Sequence, residues 1–114
     1  MPTLHRAHER LRRARFLDVD LAGARFDDVS LAKARLTDVT LADARIVDAD
    51  ARRTRWTDVD LAGARLEDAN LRGASLTNVD LRDVRIRDAD LRGLTIDGVR
   101  VDLLLAKAKR ARKR

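Results

Sequence analysis

The sequence has no cysteine, three aromatic residues in Phe16, Phe26 and Trp56, and no long apolar run. Without cysteine there is no disulfide framework, no thiolate nucleophile and no thiolate-based zinc site, so the 114 residues must hold together by packing alone. With so few aromatics, a core must come from Leu, Val, Ile and Ala, and stacking on nucleobases is nearly excluded. Nowhere do about 18 apolar residues follow one another, as a membrane span requires. The charged start MPTLHRAHERLRRARF lacks the apolar stretch of a secretory signal, and Glu9 with the absence of Ser argues against a mitochondrial targeting peptide. The expectation is a soluble cytoplasmic protein with no membrane association.

Charge is what the sequence has in plenty. Lys and Arg number 25 against 19 Asp and Glu, 39% of residues are charged, and 45% are hydrophobic, which is too apolar for a disordered chain. Length allows one small domain. The formal +6 sits at the ends: residues 1–15 carry five Arg and one Glu, and residues 99–114 carry seven basic residues and one Asp. Between them lie 13 basic and 17 acidic residues, so the body is mildly acidic.

From Ala14 to Val101 the sequence falls into pentads centred on a large apolar residue, from Phe16, Leu21, Phe26, Leu31 and Leu36 through to Leu91, Ile96 and Val101. Of 18 centres only Ala51 is small, and Ala or Val stands two residues before the centre in all but Thr54 and Leu94. A step of five advances a helix by about 140° net, which winds the apolar row round every face, and an odd step on a flat strand alternates faces. Neither gives a core. A chain that turns a corner every pentad does, with one large and one small side chain inward. The residue two after the centre is suited to such a corner, being Asp18, Gly23, Asp28, Asp38, Asp43, Gly63, Gly73, Asn78 or Gly93.

The segments VDLAG (19–23 and 59–63), ANLRG (69–73), VDLRD (79–83) and ADLRG (89–93) resemble the pentapeptide repeat family, with its consensus A(D/N)LXX, over about 90 residues. The resemblance implies an all-β fold, a right-handed quadrilateral parallel β-helix with four pentads per coil and about four and a half coils. Residues 20 apart then stack. One side presents Asp20, Asp43, Asp60, Asp80 and Asp83 against Arg82, and the opposite side presents Lys33, Arg52, Arg53, Arg72 and Arg92 against Asp50 and Asp90. An acidic and a basic face are therefore expected. Arg columns at 15, 35 and 55 and at 25, 45, 65 and 85 each have an Asp three residues on, which suggests a solvated charge network. Beside Ala51, the Trp56 ring is expected to lean into the space a Leu would fill, with Thr54 a satisfied inward hydroxyl.

The ends of a solenoid need covers. Residues 1–13 are expected to form a capping helix, with Thr3 as N-cap and Leu4, Ala7, His8 and Leu11 at helical spacing. The repeat would run over 14–101, and LTIDGVRV ends it with a turn at Asp97 and Gly98. Residues 102–114 would then form a helix capped by Asp102, with Leu104, Leu105 and Ala108 covering the last coil. The tail residues Lys107, Lys109, Arg110, Arg112, Lys113 and Arg114 are candidates for an electrostatic tether. His5 and His8 stand three apart with no third ligand nearby, so no metal site is expected, and no cofactor either.

No His neighbours a nucleophile, no glycine-rich phosphate loop follows a strand, and Ser and Thr in the repeat fall on periodic positions. The sequence points to a non-enzymatic scaffold for protein interaction. The resemblance offers one alternative, a duplex-mimicking rod that binds DNA gyrase, and also implies a monomer or a dimer joined at the C-terminal end. The basic side and tail offer another, weak nucleic-acid binding.

Overall fold

The computed structural model of the chain describes residues 5–7 and 11–112, with side chains from 11 to 108. Its strands are β1 (His5–Ala7), β2 (Arg15–Asp20), β3 (Arg25–Asp27), β4 (Arg35–Thr40), β5 (Arg45–Val47) and β6 (Arg55–Asp60). They continue as β7 (Arg65–Glu67), β8 (Ser75–Thr77), β9 (Arg85–Arg87), β10 (Thr95–Ile96) and β11 (Val99–Arg100), and α1 (Val101–Arg112) follows. One sheet runs β1-β3-β5-β7-β9 and the other β11-β10-β8-β6-β4-β2. Every parallel pair is offset by 20 residues, as in Phe16↔Leu36, Leu36↔Trp56 and Trp56↔Leu76. Four pentads thus make one coil of a parallel β-solenoid.

The corners follow from three residues of each pentad. At the two sides between the sheets the amide of the third residue after the centre donates to the centre's carbonyl, as in Ala24 to Leu21 (3.0 Å) and Ala74 to Leu71 (3.0 Å). The residue between them has positive φ, from 58° at Arg53 and Asp83 to 76° at Gly93, which is the pattern of a type II turn. The residue before the centre completes it: Oδ1 of Asp20, Asp60 and Asp80 accepts the backbone N–H two residues on at 3.0, 2.9 and 3.1 Å. Asp50, Asn70 and Asp90 do the same on the opposite side. This is why Asp or Asn recurs before Leu in the consensus.

Inside, the centres stack in columns such as Phe26, Ile46 and Leu66 or Leu41 and Leu61, with Ala24, Ala44 and Ala64 packed between them. Trp56 and Thr54 are 2% and 0% exposed. The indole Nε1 donates to Thr54 Oγ1 at 2.6 Å, and that hydroxyl donates to Ala51 O at 2.8 Å. The indole is thereby tied through Thr54 to the backbone of the small centre Ala51, and each polar atom has a partner.

The N-terminal end departs from expectation, and the expected C-terminal helix is present but does not cover the core. His5–Ala7 is strand, paired in parallel with Arg25–Asp27, and residues 11–13 form another pentad corner through Leu11 N to Ser30 O (2.6 Å) and Ala14 N to Leu11 O (3.1 Å). The rest of the expected helix, with Thr3, Leu4 and His8, lies outside the described residues. An uncovered coil edge offers an unpaired backbone ladder, and pairing to it outweighs a local helical spacing. The pentad phase in fact runs back to Leu11, five residues before Phe16.

At the other end α1 begins at Val101, with Asp102 inside the first turn and not before it. Leu103, Leu104 and Leu105 are 60%, 54% and 42% exposed, and Ala108 is exposed, so the helix projects and does not cover the core. The last coil is closed by buried Leu94 and by the antiparallel β10–β11 hairpin, whose Asp97 and Gly98 have φ of 50° and 80°. Asp-Gly is the preferred pair for such a two-residue connection.

Candidate functional site

The 20-residue register brings the five predicted basic residues to one face. Lys33, Arg52, Arg53, Arg72 and Arg92 line a shallow groove of about 690 Å³, and Arg12 joins them one rung below. Ala32, Gly73 and Gly93 form its floor. Arg12 escapes the sequence reading because the repeat there begins at Ala14, although the phase reaches Leu11. A second hollow of about 500 Å³ adjoins it round the corner, lined by Arg53, Arg55, Thr57, Gly73, Ser75 and Thr77. It opens where Ser75 interrupts the column of Arg15, Arg35 and Arg55.

Two of these cations are held. Arg52 binds Asp50 through Nε and Nη2, both at 2.8 Å, and Arg92 binds Asp90 at 3.0 and 2.7 Å. These hydrogen bonds hold the Asp50 carboxyl below its ordinary range and bring Asp90 from 3.8 to about 2. Arg72 adds a smaller electrostatic pull on Asp90. Among the described residues Lys33, Arg53 and Arg72 form no ion pair.

Backbone conformation marks the same face. Among the described residues with positive φ that are not Gly, all are Asp or Asn except Arg13 (59°), Lys33 (64°) and Arg53 (58°), and these three stack in one corner. A long side chain in the left-handed region is costly relative to Gly, Asn or Asp, by about 1 kcal/mol or more.

The acidic residues stand differently. Asp58, Asp60 and Asp80 line a groove of about 680 Å³, but Arg82 lies in it and binds Asp80 at 2.7 Å, which lowers the Asp80 pKa. Asp20, Asp60 and Asp80 cap turns, while Asp43 and Asp83 occupy the positive-φ corner with φ of 59° and 58°. Every predicted acidic residue thus has a backbone task. The expected Arg–Asp network three apart is also corrected: the bidentate pairs join Asp50, Asp80 and Asp90 to the Arg two residues on, and Asp18, Asp38, Asp48, Asp58, Asp68 and Asp88 serve the corner with positive φ.

Of the tail residues Lys107 is exposed on α1, which also contains Lys109, Arg110 and Arg112, while Lys113 and Arg114 lie outside the described residues. The helix starts beside the basic groove, because Asp102 Oδ2 accepts the Gly93 N–H at 3.3 Å. Arg100 grips the same carboxylate at 2.9 and 2.7 Å and brings its pKa to about 2. Among the described residues no group of three His, Cys, Asp or Glu is placed to hold a metal ion, and no helix is long and apolar enough to cross a membrane.

A parallel β-solenoid with a five-residue inward pattern and a 20-residue coil defines a class of repeat protein. The chain belongs to the pentapeptide repeat family, whose profile matches in eight copies over residues 20–55 and 57–93. No curated protein matches it by sequence. Solved structures similar to it include a pentapeptide repeat protein of the Arabidopsis thaliana thylakoid lumen, 19% identical, covering 92% of this chain and 75% of that one with a TM-score of 0.43. A pentapeptide repeat protein of Nostoc PCC 7120 is 22% identical, with 84% and 99% covered and a TM-score of 0.43. QnrB1, a plasmid-mediated fluoroquinolone resistance protein, is 16% identical, with 87% and 65% covered and a TM-score of 0.36. At such identities the likeness concerns the fold alone.

Proposed function

We propose that the chain is a non-enzymatic interaction scaffold whose contact surface is the basic face. The observation that carries this reading is the contrast between the two charged faces. The acidic residues cap and turn the backbone, whereas Lys33 and Arg53 occupy corners that Gly, Asn or Asp would fill at lower cost. A charge that the fold does not need and that strains its backbone supports a role outside the fold. The gyrase-binding alternative rests on the acidic face, where Arg82 interrupts the run and each carboxylate has a structural partner or place.

The test is photo-crosslinking in the native cell, with a photoreactive residue at Arg72 on the basic face or at Ala62 beside the acidic one. Adducts from position 72 and none from position 62 are expected. Adducts from position 62 alone would transfer the function to the acidic face, and none from either would end the reading.

A further inference from the structure

Resting on that reading of the basic face, we propose that its partner is duplex nucleic acid, gripped by its phosphate backbone without regard to base sequence. The cations form a regular array. Arg12, Lys33, Arg52 with Arg53, Arg72 and Arg92 occupy five successive rungs of the solenoid. At a strand spacing of about 4.8 Å the array is about 19 Å long. A row of charge at fixed intervals suits a polymer whose charge also repeats at fixed intervals, and long Arg and Lys side chains absorb the difference in pitch.

The surroundings of the array narrow the choice of polyanion. Protein interfaces are organised round buried apolar or aromatic anchors. The groove floor offers only Ala32, Gly73 and Gly93, so an acidic protein would find charge there and little else. Single-stranded nucleic acid is held largely by stacking on aromatic side chains. Phe26 and Trp56 are buried and Phe16 packs against the core, which leaves no such platform. A duplex needs neither, because its phosphates carry affinity and steering by themselves. The neighbouring hollow presents the hydroxyls of Thr57, Ser75 and Thr77 beside Arg53 and Arg55, a donor set that suits phosphate oxygens. The opposite acidic groove repels the same polymer and so turns the rod basic side down. Helix α1, tied to Gly93 through Asp102 and carrying Lys107, extends the positive surface from the end of the groove.

The strained corners give the inference a readout that a structural role would not share. Replacing Lys33 and Arg53 by Gly removes two of the unpaired cations and also relieves the backbone. The variant Lys33→Gly/Arg53→Gly is expected to melt no lower than the parent and to bind duplex at least tenfold more weakly. Fluorescence anisotropy with a mixed-sequence 20-base-pair DNA duplex measures this on the full chain. With about four phosphate contacts, from Arg12, Lys33, Arg53 and Arg72, affinity should fall about 100-fold between 50 and 200 mM salt, equally for duplexes of different sequence. Arg45→Gln/Arg65→Gln, which removes as much charge from the five-stranded sheet, is expected to leave affinity within twofold.

Absence of duplex binding at 50 mM salt would overturn the inference, as would tighter binding to polyglutamate or to anionic phospholipid vesicles. Either of the last two would leave the scaffold reading standing with a different partner. Binding that survives the Gly substitutions but vanishes on deleting residues 107–114 would assign the contact to the tail and overturn the role of the groove.

Discussion

At the residue scale the five positions of each pentad divide two tasks, filling the core and turning the chain. Thr54 is the instructive exception, a hydroxyl with no solvent exposure at a place otherwise held by Ala, Val or, once, Leu94. It accepts from Trp56 Nε1 and donates to Ala51 O, so its presence is tied to the indole and to the small centre beside it. Thr54→Val keeps the shape but leaves the indole N–H without an acceptor. A loss of about 1 to 3 kcal/mol is expected by urea unfolding, the ordinary cost of a buried unsatisfied donor. In a Trp56→Phe background the same change should cost at most a few tenths, and equal costs in both backgrounds would show that the hydrogen bond contributes nothing. The inward role of Thr54 and the corner role of the residue after next were legible in sequence, because each departs from or repeats along the pentad. That Asp20, Asp60 and Asp80 cap turns was not legible, since the same letters read equally well as an acidic surface.

At the element scale, sequence predicts what repeats and misreads what ends the repeat. The pairing Arg15↔Arg35↔Arg55 follows from the pentad period together with the four-pentad coil that the family resemblance implies, whereas the fate of residues 5–7 depends on an exposed coil edge that no local spacing describes. Helix α1 is where helix propensity places it, but its Leu103, Leu104 and Leu105 find no core to cover because Leu94 and the β10–β11 hairpin already close it. What fixes the start of the helix is Asp102, bonded to Gly93 of the last coil and Arg100 of the hairpin. Asp90 and Asp102 both have pKa values lowered from 3.8 to about 2, chiefly by side-chain hydrogen bonds from Arg92 and Arg100. A carboxylate with a lowered folded-state pKa contributes stability above its unfolded value of 3.8, and that contribution is lost as pH falls through about 2. The melting temperature should therefore decline from about pH 4 to about pH 2. The decline should be shallower in Asp90→Asn/Asp102→Asn; parallel curves would mean that these exposed pairs add nothing to stability.

At the scale of the whole molecule, the faces exist only because a coil takes 20 residues, so they can be rearranged without touching the core. Deleting residues 60–79 removes one full coil and joins Val59 to Asp80 in phase, leaving Arg92 aligned beneath Arg52 and Arg53. Deleting residues 60–69 also keeps every pentad in phase, but it removes half a coil and turns everything downstream by two sides. Arg72 and Arg92 then join the acidic face, and Arg82 with Asp83 crosses to the basic one. Both shortened chains should fold with β-sheet circular dichroism and lower melting temperatures, since stability in a solenoid is summed over neighbouring coils. Their binding should differ. The 60–79 deletion should bind duplex DNA with a salt slope shallower by about one, the share of Arg72. The 60–69 deletion keeps the same three unpaired cations but sets Asp83 beside them where the other sets Gly93, so it should bind severalfold more weakly. Net charge opposes that outcome, because residues 60–69 carry three acidic residues and one basic, so the weaker binder is the more positive chain. Equal affinity in the two would mean that the chain attracts polyanions through its total charge, and the alignment of the basic face would have no part in it.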